Sequence, residues 1–140
     1  MGKKRKKRKQ KSLGQVIIPL GHPNPPEPHE VDSAMILARH YQTTVEFIVP
    51  VDDYKRKSAD IVMHDVEWEI KCPHGSSKST IGNQFRNASR QSKSIIIDTR
   101  WTKLDFEVVQ NRVINEAKRR TAVKKVILID NLEKVIEIKK

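Results

Sequence analysis

A tight β-hairpin over residues 58–71 is the feature that most constrains what this chain can fold into. A two-residue turn at His64 and Asp65 would fix the register between the two strands. The pairs that this register predicts are Met63–Val66, Val62–Glu67, Ile61–Trp68 and Asp60–Glu69. Because side chains alternate between the two faces of a strand, we expect the apolar set of the second strand to point towards the core. The polar and apolar sets are Glu67, Glu69 and Lys71, and Val66, Trp68 and Ile70.

The predicted register places two carboxylates, those of Asp60 and Glu69, directly opposite each other. Cβ atoms about 5 Å apart imply a repulsion of about 3 kcal/mol at an effective dielectric constant of about 20. The sequence therefore requires a compensating cation, which is either Lys71 on the same face or a bound metal ion. Two carboxylates, with water and phosphate as further ligands, suit a hard ion such as Mg²⁺. The alternative is an ordinary half-exposed hairpin whose charged residues face water.

Positive charge is concentrated at the N-terminus of the chain. The 140 residues carry a net charge of +11, of which the eight Lys and Arg of residues 3–11 supply +8, leaving +3 for the rest. Such a run cannot form a core, and it attracts nucleic acid through phosphate neutralisation. A targeting, solubility or translocation segment is the alternative. Since residues 19–28 hold five of the seven prolines, we expect residues 1–28 to be a disordered polybasic arm and Pro-rich linker, followed by one domain at 29–140.

Cysteine content excludes a protein stabilised by intramolecular disulfides, and hydrophobicity excludes a protein with a membrane-spanning helix. Cys72 is the only cysteine, so an intramolecular disulfide is impossible and a zinc site would lack thiolates. We expect it to be a small buried side chain before Pro73. No apolar run is long enough to span a bilayer, and nothing resembles a signal peptide, so no membrane partner is expected.

Hydrophobic periodicity predicts a mixed sheet flanked by helices, an α/β domain of the mixed α+β type. The predicted order is α-β-β-β-α-β-α-β-β. The first helix carries an apolar stripe of Val31, Ala34, Met35, Ala38 and Tyr41. The continuous run Ile95–Ile97 is typical of a central strand buried on both faces. The predicted elements are helices at 30–41, 78–91 and 105–120, the hairpin, and strands at 43–49, 94–98, 123–130 and 134–138.

This order, with an Asp-bearing strand followed by a Glu-x-Lys strand, resembles the PD-(D/E)XK nuclease superfamily. The motif stands as Ala59-Asp60 and Glu69-Ile70-Lys71, with alanine in place of the variable proline. The resemblance narrows to the C-terminal nuclease domains of CdiA-type contact-dependent growth inhibition toxins, from about His29 to the C-terminus. Several of those domains are similar in fold to PD-(D/E)XK enzymes and cleave tRNA. The stretches that carry the narrower resemblance are Asp60-Ile61-Val62, Trp68-Glu69-Ile70-Lys71, Ser79-Thr80-Ile81-Gly82-Asn83-Gln84, Gln91-Ser92-Lys93 and Ile95-Ile96-Ile97-Asp98.

The resemblance implies roles for individual residues. Asp60 and Glu69 would ligate Mg²⁺ or another divalent cation such as Mn²⁺, and Glu30 would complete the metal site from the first helix. Lys71 would orient the attacking water or stabilise charge on the phosphoryl oxygens. Further side chains are candidates for substrate binding, with a solvated helix face or loop as the alternative. They are Lys78, Thr80, Gln84, Arg86, Arg90 and Trp101.

The function that the resemblance implies is a metal-dependent endoribonuclease that cleaves RNA phosphodiester bonds, with tRNA as the foremost substrate. A DNA endonuclease of the same superfamily and a non-catalytic basic nucleic-acid-binding module are the alternatives. Nucleic acid and an immunity-type inhibitor protein are the expected partners. We expect a cytoplasmic protein of bacterial, phage or mobile-element origin, with delivery into another cell as an alternative.

Overall fold

Seven strands and three helices form the part of the chain that the computed structural model describes, residues 14–21, 25–49 and 59–140. The predicted polybasic arm and Ser58, at the start of the predicted hairpin, lie outside these ranges. The elements in chain order are β1 (Gln15–Ile17), α1 (Pro28–Tyr41), β2 (Thr44–Phe47), β3 (Ile61–Met63), β4 (Val66–Lys71), α2 (Lys78–Ser89), β5 (Ser94–Asp98), α3 (Phe106–Arg119), β6 (Lys125–Ile129) and β7 (Val135–Lys139). This composition confirms the predicted mixed α/β class.

The strands form one mixed sheet in the order β1-β2-β3-β4-β5-β6-β7. The pairs β1–β2, β4–β5 and β5–β6 are parallel, whereas β2–β3, β3–β4 and β6–β7 are antiparallel. Each parallel pair is connected through a helix, as parallel neighbours require. Because β4, β5 and β6 run in one direction, the loops that follow them emerge at the same edge of the sheet.

The predicted hairpin is confirmed as β3 and β4. Ile61 pairs with Trp68, and the remaining pairs follow the predicted register to Met63–Val66. His64 and Asp65 form the turn with φ angles of 55° and 60°, the left-handed geometry of a type I′ turn. The ladder ends at Ile61, where the predicted register continued to Asp60 and Glu69. Asp60 instead donates its backbone N–H to the carbonyl of Trp68 at 2.9 Å.

Helices cover both faces of the sheet. On one face α1 packs on a cluster that includes Leu37, Ile61, Trp68, Ile70 and Ile96. On the other face α2 and α3 pack on a second cluster, whose members include Ile81, Phe85, Ile95, Ile97, Val113 and Leu128. Ile95, Ile96 and Ile97 are all 0% exposed, which confirms the predicted central strand. The polar face of β4 therefore lies under α2, and it does not face water as an ordinary hairpin would.

Strand β1 is the element that sequence reasoning missed. Residues 15–17 pair in parallel with Thr44–Glu46 of β2, so the absence of any strand before His29 was a wrong prediction, and the boundary expected there lies too late in the chain. Gly14, with φ +84°, begins the strand where the backbone passes close to α1. A Cβ atom at this position would lie 2.2 Å from the carbonyl oxygen of Ala38. Close packing against α1 therefore requires glycine here.

Helix α1 differs from its prediction in start and in orientation. It begins at Pro28, the favoured residue for a first helical position. Met35, expected on the buried stripe, is 45% exposed, whereas Leu37 is fully buried. The buried face is centred on Ala34, Leu37 and Ala38, so Met35 is rotated out to solvent. None of the helices in the described ranges is long and apolar enough to cross a membrane.

Candidate active site

A cleft of about 400 Å³ opens at the carboxyl end of β4, between the first turn of α1 and the face of α2. Loop and strand residues from both sides of the hairpin reach it. The residues that line it are His29, Glu30, Asp60, Glu69, Ile70, Lys71, Cys72, His74 and Gln84. The structure thus brings together the predicted catalytic side chains, which the sequence separates by as many as forty-one positions between Glu30 and Lys71.

Glu69 is the most deeply buried carboxylate of the cleft, with 3% of the residue exposed. One carboxylate oxygen, Oε2, lies 3.3 Å from Nζ of Lys71. The other, Oε1, is buried and has no hydrogen-bond partner among the residues that the structure describes. Burial and the neighbouring charge of Asp60 raise the pKa of Glu69 to about 8, although Lys71 acts in the opposite direction. One lysine therefore leaves this carboxylate incompletely neutralised and with a free oxygen.

Asp60 lies on the loop that enters β3, and its side chain reaches across to β4. Its Oδ2 accepts the backbone N–H of Ile70 at 2.8 Å. Burial raises the pKa of Asp60, and the hydrogen bond from Ile70 opposes that rise. The backbone of β4 thus positions the carboxylate of Asp60, and the side chain of Glu69 on the same strand supplies a second carboxylate.

Glu30 enters the cleft from the first turn of α1. Its Oε1 accepts the backbone N–H of Glu27 at 3.1 Å, so the side chain also caps the helix. Burial and the charge of Asp60 raise the pKa of Glu30. The charge of Asp60 therefore acts on the carboxyl group of Glu30 within the same cleft.

The predicted substrate-binding residues are distributed less closely around the cleft. Gln84 lines it, and the Oε1 atom of Gln84 is buried without a partner in residues 14–21, 25–49 and 59–140. Thr80 lies one turn earlier on α2, half-buried and outside the lining. Arg86 and Arg90 are exposed on the later turns, and Arg86 donates to Asn83 at 3.4 Å. The side chain of Lys78 lies outside the described part of the structure, and Trp101 packs behind the cleft wall.

His29 and His74 line the cleft, and sequence reasoning did not select them. His29 precedes Glu30 on α1, while His74 follows Cys72 and Pro73 after β4. A signal was present for His74, because it follows the carboxyl end of one parallel strand and Trp101 follows the end of the next. Loops at the carboxyl ends of neighbouring parallel strands are where α/β sheets form their sites.

A buried polar network supports the cleft from behind. Asp98, at the end of β5, is 0% exposed and accepts the hydroxyl hydrogen of Ser33 at 2.5 Å. It also pairs with Arg100 at 2.8 Å, and this hydrogen bond raises the pKa of Arg100. Burial raises the pKa of the neighbouring Cys72 thiol to about 12. Cys72 is a small buried side chain, as predicted.

The donor set of the cleft fits a divalent cation only in part. Among the residues that the structure describes, no three His, Cys, Asp or Glu side chains converge on a point that would hold a metal ion by themselves. Asp60 and the free oxygen of Glu69 fit the smaller set that Mg²⁺ uses, which is one or two carboxylates completed by water and substrate phosphate. We conclude that the residues suit a cation shared with a substrate.

The fold and the cleft together define a mixed α/β domain with a site that contains carboxylates and a lysine at the carboxyl end of strand β4. Residues 57–135, more than half of the chain, match the family described as the contact-dependent growth inhibition CdiA C-terminal domain. The chain therefore belongs to the CdiA C-terminal domain family. No curated protein matches the sequence significantly.

A solved structure supports the fold. It is a CdiA-CT/CdiI toxin and immunity complex from Burkholderia pseudomallei, and a chain of that complex matches this protein with a TM-score of 0.65 at 19% identity. The match covers 90% of this chain and 100% of that chain. At this identity the similarity establishes a common fold.

Proposed function

We propose that this protein is a toxin domain of the contact-dependent growth inhibition type, with the activity of a metal-dependent PD-(D/E)XK endoribonuclease. The observation that carries the proposal is Glu69, a buried carboxylate next to Asp60 and paired with Lys71 in an open cleft. One of its oxygens has no partner within the described ranges of the chain. A buried polar atom without a partner costs about 1–3 kcal/mol. Carboxyl groups whose pKa is shifted by burial and by a neighbouring charge are concentrated at functional sites.

Asp60 and Glu69 would hold the divalent cation, Mg²⁺ or a substitute such as Mn²⁺. When bound, that cation would polarise the phosphoryl oxygen and lower the pKa of a coordinated water. The Ile70 N–H holds Asp60 in place, and Glu30 would add negative charge at the same site from α1. These observations support a common site for the three carboxylates.

Lys71 supplies the positive charge of the cleft. Its amino group is 3.3 Å from Glu69, and its side chain is 24% exposed, so it can reach a phosphate from the wall of the cleft. There it would stabilise negative charge that develops on the phosphoryl oxygens or orient the attacking water. The contact with Glu69 positions this lysine before substrate binds.

Side chains around the rim are proposed to bind the substrate. The side-chain oxygen of Gln84 has no partner in the described part of the protein, and it can accept a hydrogen bond from a hydroxyl or an amino group of the nucleic acid. We assign contacts with the phosphate backbone to the other residues of this set, except that Trp101 would support an aromatic surface on which a base stacks. These residues are Lys78, Thr80, Arg86, Arg90 and Trp101.

Family membership supports tRNA as the substrate class and an immunity-type inhibitor as a protein partner. The Burkholderia pseudomallei structure of the same fold is a toxin and immunity complex. By this analogy the domain acts in the cytoplasm of a cell into which it is delivered, and a producing cell is protected by a cognate inhibitor. The polybasic segment at residues 3–11 would concentrate nucleic acid near the domain without selecting a sequence.

The decisive experiment is tRNA digestion by the purified full-length chain with Mg²⁺ and with EDTA. We expect cleavage with Mg²⁺, none with EDTA, and none from Glu69→Ala or Lys71→Ala. Persistent cleavage by both variants would reject the site assignment. Faster nicking of plasmid DNA than cleavage of tRNA at equal enzyme concentration would assign DNA as the substrate. Binding that depends on residues 1–12 and is unaffected by Mg²⁺, without any cleavage, would leave a binding module.

A further inference from the structure

Three aromatic rings from separate parts of the chain pack together beside the cleft, and two of them, His29 and His74, line it. His29 comes from the first turn of α1, His74 from the loop after β4 and Trp101 from the loop after β5. The ring centroids are 6.0 Å apart for His29 and His74, 5.8 Å for His29 and Trp101, and 6.2 Å for His74 and Trp101. These separations are within the range of favourable aromatic contacts, so the rings form one packed cluster.

The two loops of this aromatic cluster are fastened to each other. The carbonyl of Gly75 accepts the backbone N–H of Lys103 at 2.8 Å and the hydroxyl hydrogen of Thr102 at 3.2 Å. Gly75 has a φ angle of +82°, a conformation that glycine adopts without strain. His74 is therefore held at a fixed position relative to Trp101, although its ring is exposed.

Arg100 stacks on the indole ring of Trp101. Its guanidinium carbon lies 4.4 Å from the centroid of the indole, and Asp98 holds the same guanidinium through several hydrogen bonds. Ser33 of α1 donates to that carboxylate as well. Arg100 covers one face of Trp101, and both Trp101 and His29 are half-buried. His74 is therefore the exposed ring of the cluster, and it lines the cleft.

We propose that His74, supported by His29 and Trp101, stacks against an unpaired base of the nucleotide next to the phosphate in the cleft. The position of that phosphate rests on the proposed function, whereas the stacking surface rests on the aromatic cluster alone. A protein ring can stack only on a base that has left its neighbours in a helix. The ligand is therefore a nucleic acid with an unpaired nucleotide at the cleft, and a continuous duplex is excluded.

The test is a binding comparison in EDTA with the full-length protein. The probes are a fluorescently labelled oligoadenylate and an abasic oligomer of the same length and charge. Because the basic segment and the lysines contact both probes equally, the ratio of the two dissociation constants isolates the base. We expect tighter binding of oligoadenylate by about 5- to 150-fold, the range that one stacked base contributes.

Three variants identify the ring that stacks. His74→Ala should reduce the ratio to about one, whereas His74→Phe, which keeps an aromatic face, should retain it. His40→Ala removes another exposed histidine, at the far end of α1, and should leave the ratio unchanged. Thermal unfolding of each variant checks that the fold is intact.

Equal binding of both probes by the wild-type protein would overturn the proposal, and so would a His74→Phe ratio as low as that of His74→Ala. The binding ratio is measured without metal or cleavage, so it is unaffected if the nuclease proposal fails. Conversely, Mg²⁺-dependent cleavage combined with a ratio of one would refute the stacking surface and leave the proposed function standing.

Discussion

Two glutamates of this domain are almost equally buried, yet their surroundings are opposite. Glu69 in the cleft is 3% exposed and Glu116 on α3 is 2% exposed. Three arginines surround Glu116, whereas the residues described around Glu69 supply one lysine and leave one carboxylate oxygen without a partner. The ion pairs of Glu116 are with Arg112 at 3.5 Å, Arg119 at 3.3 Å and Arg120 at 3.0 Å. Burial of a carboxylate therefore does not by itself mark a site, whereas burial without neutralisation does.

The largest difference expected between the two glutamates is in catalysis. Glu69→Gln keeps the shape of the side chain but removes its charge, and should lower the rate of tRNA cleavage by about 10³-fold. Glu116→Gln should leave the rate per folded molecule unchanged, because Glu116 lies outside the cleft. Rates are compared at saturating Mg²⁺ after correction for the folded fraction. An equal loss of activity in both variants would mean that Glu69 acts only through the fold.

The second difference is in the response of stability to pH without metal. The pKa of Glu69 is raised from 4.5 to about 8 in the folded protein, so the native state binds more protons than the unfolded chain between these values. Stability therefore falls as pH rises through this window. Melting temperatures in EDTA should drop by several degrees for the wild type and for Glu116→Gln. A similar drop in Glu69→Gln would assign the effect to other groups.

A smaller effect is the stabilisation of the folded protein by Mg²⁺. A cation that binds only the native state contributes about 2.7 kcal/mol when its free concentration is about 100 times Kd. At pH 8 this gain should appear in the wild type and in Glu116→Gln, and should disappear in Glu69→Gln and Asp60→Asn. Titration of melting temperature with MgCl₂ gives the result. Undiminished stabilisation of Glu69→Gln would place the cation elsewhere.

The smallest effect is the contribution of Glu116 to stability. Glu116→Gln should destabilise the fold by about 1–2 kcal/mol, since three charged pairs are lost while their arginines remain partly in contact with water. Urea unfolding should show a lower midpoint with an unchanged slope. If Glu116→Gln were as stable as the wild type, the three arginines would be solvated and would not stabilise the fold through Glu116. Glu116 and Glu69 could then be compared only in their burial.

Local patterns were sufficient to predict the hairpin and its register. The two-residue turn and the alternation of β4 involve contacts within a few residues, so the sequence of that segment determines them. The same local geometry predicted that Asp60, Glu69 and Lys71 would lie near each other. The catalytic roles of these residues remain predictions that the cleavage experiments address.

Features that depend on distant contacts could not be predicted in this way. Strand β1 is three residues long, and it is defined by pairing with β2 and by the contact of Gly14 with α1. The aromatic cluster requires His29 and Trp101 to meet across 72 positions of the sequence. The burial of Glu69 results from α2 covering the second face of the sheet, which the alternation within β4 does not reveal.

The strand order β1 to β7 in the sheet is the same as the order of the strands in the chain. Each ladder of hydrogen bonds joins strands that are consecutive in sequence, so pulling either end of the chain removes one strand and leaves the remaining ladders paired. Reassembly can likewise proceed from neighbour to neighbour, since each strand pairs with the one that precedes it in the chain. If the domain crosses a membrane as an extended chain during delivery, this arrangement lowers the force needed to unravel it and allows it to refold as it emerges.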